Sequence, residues 1–68
     1  MLNINDYQQS LLLKHLPEAK AYIDNDDIYQ LLEDLDDKIT EIGFDRNYEL
    51  NAVGRKLQKL YDELYDQN

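Results

Sequence analysis

The residues able to do chemistry are few, and their spacing limits what they can do. His15 is the only histidine and Ser10 the only serine. Five residues apart, they are poorly aligned on one helix, so a serine nucleophile with a histidine base does not form locally. Around His15, the positions three and four residues away (Leu11, Leu12, Glu18 and Ala19) offer one carboxylate, too little for a metal site. It reads instead as a histidine at a helix C-terminus, where the macrodipole favours it. Asp36 and Asp37 are adjacent and point apart on a helix. They lack the shared buried environment that divides two carboxylates into an acid and a base.

A calcium loop is the next arrangement to test. Asp45-Arg46-Asn47-Tyr48-Glu49 places oxygens at the first, third and fifth positions of a segment between two expected helices. The sixth position, which needs Gly for its sharp turn, is Leu50, and the twelfth, which needs a bidentate Glu, is Lys56. The segment is therefore expected to be an ordinary capped connection. Gly43 and Gly54 are the only glycines, so a Gly-rich phosphate loop is excluded. With no cysteine, thiolate metal centres and disulfides are excluded too. The expectation is no enzyme, no metal and no cofactor.

Two other groups of side chains point to binding. Six tyrosines accompany no tryptophan, and tyrosine is enriched where proteins meet. Tyr61 and Tyr65 are turned about 40° and 80° aside from Leu57 at 100° per residue, with Gly54 between them. Glycine inside a helix costs about 1 kcal/mol relative to alanine, so a close approach of another helix is the expected reason for Gly54. The second group is acidic. Asp24, Asp26, Asp27, Asp62, Glu63 and Asp66 are expected to gather at one end of the molecule as an acidic pole. A basic partner could relieve their repulsion.

The elements that position these residues follow from periodicity. Ile28, Leu32, Leu35, Ile39 and Ile42 are spaced by four and three, which predicts an amphipathic helix over about 26–42. Asp24, Asn25 or Asp26 is the expected cap, and Gly43 with Phe44 the expected Schellman stop. Val53, Leu57, Leu60 and Leu64 repeat the pattern after a good capping residue, Asn51, and predict a helix over about 52–66. The connection 43–51 carries Phe44, Tyr48 and Leu50 as residues that can pack. Upstream, Asn3, Asn5 or Asp6 caps a short helix with Tyr7, Leu11, Leu12 and Leu16. Pro17 ends it by forcing residue 16 out of the α region, and PEAKAYI forms a further short helix carrying Tyr22 and Ile23 inward. The fold class is all-α. A single domain over 1–68 forms a small three- to four-helix bundle built on a C-terminal antiparallel hairpin.

Charge and length exclude further classes. Fifteen acidic against seven basic residues give a net charge of -8 on 68 residues. Nucleic-acid binding is disfavoured, because phosphate contacts need a basic footprint. Residues 24–41 hold eight carboxylates and one cation, Lys38, while Arg46, Arg55, Lys56 and Lys59 cluster in 46–59. In a hairpin this places the basic half of the last helix beside the Asp37–Glu41 end of the acidic one, where cross-helix pairs can form. The longest apolar run near the N-terminus, Leu11–Leu13, is shorter than a signal peptide or a membrane span requires. A cytoplasmic protein is expected.

The leading functional expectation is a non-enzymatic protein–protein interaction module, a small acidic regulator or adaptor with a protein partner, in particular a basic one. The alternative is an acidic nucleic-acid mimic, of the phage or mobile-element type, that inhibits a DNA- or RNA-binding protein. A homodimer is expected if the first helix leaves the Tyr61–Tyr65 side uncovered, and a monomer if Leu11, Leu12 and Leu16 fill it.

Overall fold

The computed structural model describes residues 2–68, and among these the chain forms four helices and no strand. They are α1 (Asp6–His15), α2 (Ala19–Asp24), α3 (Ile28–Ile42) and α4 (Ala52–Gln67). The two long helices carry the bundle. α3 and α4 make the most extensive pairing, α2 packs on α3, and α1 packs on α2 and α4. The all-α bundle on a C-terminal hairpin is as the periodicity predicts, and both long helices end within two residues of the expected limits.

Local chemistry sets the boundaries. Asn5 caps α1 in a reciprocal box: its side chain accepts from the Gln8 N–H at 2.8 Å, and the Gln8 side chain accepts from the Asn5 N–H at 3.1 Å. Leu16, ahead of Pro17, has φ -140° and ψ 73°, outside the helical region as proline demands. The cap of α3 differs from expectation. It is Asp27, whose carboxylate accepts from the Gln30 N–H at 3.2 Å. Asp24 closes α2, while Asn25 and Asp26 form the tight turn between helices, with Asp26 at φ 55°. Aspartate tolerates that left-handed conformation better than most residues, which frees the next residue to cap.

The end of α3 is not a Schellman stop. Gly43 has φ -88°, an ordinary right-handed value, so freedom at positive φ is not what it supplies. It supplies the absence of a side chain. A Cβ on Gly43 would lie 3.0 Å from the Gly54 Cα, and one on Gly54 would lie 2.9 Å from the Gly43 Cα. Asn51 fastens this crossing. Its backbone N–H donates to the Gly43 carbonyl at 2.8 Å, and its amide donates to the Ile42 carbonyl at 2.9 Å. The same amide oxygen caps α4 by accepting from the Gly54 N–H at 2.7 Å. One asparagine thus satisfies orphan groups at the end of one helix and the start of the next.

The connection 43–51 packs less than expected. Leu50 is half-buried and bridges to Phe44, but Phe44 is 42% and Tyr48 88% exposed. Asp45 orders the loop by accepting from the Asn47 and Glu49 N–H groups at 2.8 and 3.2 Å. Its carboxylate faces the backbone, as in a capped loop.

The core is almost entirely leucine. Leu12, Leu16, Leu31, Leu32, Leu35, Leu57, Leu60 and Leu64 are buried together with Ala19 and Ile39. Tyr22 and Ile23 of α2 pack against this cluster half-buried. Gln8 is the one buried polar side chain among the described residues. Its amide donates to the Glu63 carboxylate at 2.9 Å and to the Gln67 side chain at 2.8 Å. Gln67 also donates to the Asn3 carbonyl at 2.7 Å, and the Asn3 N–H donates to the Asn68 side chain at 2.9 Å. A chain of amides thereby ties Asn3 and Gln8 to Gln67 and Asn68.

Candidate functional site

Antiparallel pairing sets the last turns of α4 beside the first turns of α3. Between them lies an open groove of about 500 Å³. Ile28 and Leu32, half-buried and buried respectively, form its floor, and Tyr61 and Tyr65 form the α4 wall. Tyr29 and Glu33 form the opposite rim, and Asn68 closes one end. Each of these pairs is spaced by four residues, so each forms a row along its helix with a rise of about 6 Å. Tyr29 is 86% and Tyr65 66% exposed, while Tyr61 is half-buried against the core.

The first helix does not fill this groove. Leu12 and Leu16 enter the core, and Leu11 lies in a separate hollow with Tyr7, Gln8, Lys56, Lys59, Leu60 and Glu63. α1 therefore covers the flank of α4 away from Tyr61 and Tyr65. The three-residue stripe expected on α4 is also divided. Tyr61 and Tyr65 line the groove, but Gly54 is buried on the Gly43 backbone at the opposite end of α4. The close approach that Gly54 permits is made within the chain, which corrects its assignment as a partner-binding residue.

The six carboxylates share one end of the bundle without forming a single surface. Glu63 turns toward α1 and accepts from Gln8. Asp24 pairs with Lys20 at 3.6 Å within α2, and Asp27 is occupied as the α3 cap. Asp24 and Asp26 border a hollow with Leu2, Ile4, Gln9 and Ile23. Asp62 and Asp66 are exposed on the side of α4 away from its leucines, with Asp62 accepting from Gln58 at 3.3 Å. The expected pairs between α3 and the basic half of α4 do not form among the described residues. Lys38 instead meets Glu41 one turn along the same helix, at 3.5 Å.

The excess of like charge at this end has a measurable consequence. The melting temperature is expected to rise between low salt and about 0.3 M salt as the like charges are screened. Replacing both Asp62 and Asp66 by Asn should give the same gain at low salt. A melting temperature that is flat or falls with salt, or destabilisation by the double substitution, would show that repulsion is not limiting there.

Periodicity places Asp34 opposite the apolar seam of α3, as part of a solvated face. The structure corrects this, because α2 packs there. The Tyr22 hydroxyl donates to the Asp34 carboxylate, which also accepts from the Gln30 amide at 2.8 Å. That hydrogen bond, aided by burial and by the negative charge of Asp34, pushes the Tyr22 pKa up to about 12. The folded value lies above the unfolded one of about 10, so the linked stability is fully present below pH 10 and is lost as pH rises through 12. A tyrosinate absorbance titration should show one of the six tyrosines ionising late, and Asp34→Asn should remove that late step.

Among the described residues, no group of three or more His, Asp or Glu side chains is placed to hold a metal ion. Nor is any helix long and apolar enough to cross a membrane. Set against protein-family models, curated proteins and solved structures, the chain matches none. Sequence reasoning found Tyr61 and Tyr65 but missed Tyr29 and Glu33. Their four-residue spacing beside Ile28 and Leu32 is visible in the sequence, but it marks a groove only once α4 lies alongside.

Proposed function

We propose that this chain is a non-enzymatic protein–protein interaction module, a small acidic regulator or adaptor of the cytoplasm. The observation that carries this reading is the groove between α3 and α4. It has an apolar floor and tyrosine on both sides, and no other segment among the described residues lines it. Tyrosine presents a large contact area with a polar tip at small entropic cost, which suits a surface that is wet when free and dry when bound.

The test is capture by the immobilised chain from a host lysate, with elution in graded salt. A partner held by an apolar groove resists about 0.5 M salt and is lost when Tyr65 is replaced by Ser. Release at modest salt, with Tyr65→Ser behaving as wild type, would favour the nucleic-acid mimic instead. The Asp62 and Asp66 carboxylates, facing outward on α4, are the feature that supports that second reading. A homodimer is the remaining way to cover the groove. Sedimentation equilibrium from micromolar to near-millimolar concentration decides it, since a single 8.1 kDa species throughout rejects self-association.

A further inference from the structure

We infer that the groove receives an arginine side chain from an exposed segment of a partner protein, its guanidinium lying among the Tyr29, Tyr61 and Tyr65 rings and paired with Glu33. This rests on the interaction reading above and names the chemistry of the partner. Among the described residues Glu33 is the only charged side chain lining the groove, and it is exposed. Among the described residues it accepts no hydrogen bond and forms no ion pair. Among the described residues no cation pairs with it. Lys38 is held by Glu41, while Lys56 and Lys59 lie in the hollow on the α1 side of α4.

The rings supply the second half of the site. Among the described residues none of the three tyrosine hydroxyls is hydrogen-bonded, so the rings are not committed to an internal partner. A cation over the face of a tyrosine is attracted by the ring quadrupole. Arginine suits this better than lysine, because its planar guanidinium stacks on a ring, is weakly hydrated and still offers a fork to a carboxylate. The Ile28–Leu32 floor matches the methylene stem of such a side chain. The field of the whole molecule, at a net charge of -8, draws the same ligand inward. The start of α3 and the end of α4 meet here with opposite dipole ends, which offset each other and leave Glu33 to set the sign.

The test uses the whole chain and a short amphipathic peptide with one central arginine among leucine and alanine. Its counterpart carries citrulline, which keeps the shape and removes the charge. Tyrosine ring resonances report the site. The arginine peptide should shift Tyr29, Tyr61 and Tyr65 and bind about tenfold more tightly than the citrulline peptide. Glu33→Gln should abolish most of that preference and leave citrulline binding unchanged. Tyr29→Leu, at a position too exposed to disturb folding, should weaken arginine binding severalfold. Equal affinity for the two peptides in the groove would overturn the arginine assignment and leave the interaction reading intact. Shifts of the same rings on concentrating the chain alone would place a second copy there instead. Absence of peptide binding overturns this inference, and only the loss of Tyr65-dependent capture as well would overturn the reading beneath it.

Discussion

Leu57→Ala is expected to remove the cooperative thermal transition of this protein. Leu57 is fully buried on α4, and Leu35 is fully buried on α3, in the same cluster. Truncating a buried leucine costs about 2–5 kcal/mol, through lost transfer energy and the cavity left behind. A single core of this size rarely supplies more than about 3–5 kcal/mol in total. The loss therefore equals most of the margin, and Leu35→Ala should act similarly. Circular dichroism during a thermal scan reads the effect, with Tyr29→Leu as a surface control expected to stay within about 0.5 kcal/mol of wild type. A Leu57→Ala protein that melts near the wild-type temperature would mean that α3 and α4 do not meet along their leucine seam.

Gly54→Leu is the second substitution expected to act strongly, and its direction opposes helix propensity. In an exposed helix, replacing glycine gains up to about 1 kcal/mol. Here the first side-chain carbon would fall 2.9 Å from both the carbonyl carbon and the Cα of Gly43. The obstructing atoms are backbone, and they are pinned by the Asn51 N–H on the Gly43 carbonyl. Overpacking against groups that cannot move aside costs about 1–3 kcal/mol or more, so destabilisation should win. Gly54→Ala should show a smaller loss of the same sign. Urea midpoints measure both, and sedimentation of Gly54→Leu should show a folding defect with no change in association. Wild-type stability in either variant would mean that the crossing of α3 and α4 is looser than described.

What the sequence could disclose depended on how local each cause was. The α3 and α4 seams are written in the spacing of Ile28 to Ile42 and Val53 to Leu64, because a helix face repeats within a few residues. The Asn51 cap and the stop before Pro17 are equally local. Gln8 was unreadable for the opposite reason. Its burial depends on Glu63 and Gln67, more than fifty residues away, and a lone glutamine carries no mark of such partners. The same holds for Asp34, whose partner Tyr22 lies on a neighbouring helix. Gly54 was recognised as a site of close approach, but its partner, the Gly43 backbone, could be known only once the crossing was in place. Half of the candidate groove was therefore legible, since Tyr61 and Tyr65 stand beside a visible seam. Tyr29 and Glu33 acquire meaning when α4 is laid against them.

The amide ties between Asn3, Gln67 and Asn68 bring positions 3 and 68 into contact. In space the path from position 3 to position 68 therefore nearly closes on itself. Connecting positions 3 and 68 by a short linker and cutting the 43–51 loop would preserve every helix contact in the order α4, α1, α2, α3. What would change is the distance along the chain over which contacts must be found. The α3–α4 pairing, now made across nine residues, would have to span almost the whole molecule, while α1 would become adjacent to α4. Loop-closure entropy grows only logarithmically with length, so such a rewired ring should keep nearly the same equilibrium stability. Its route would differ, with assembly beginning on the flank that closes last in the native order.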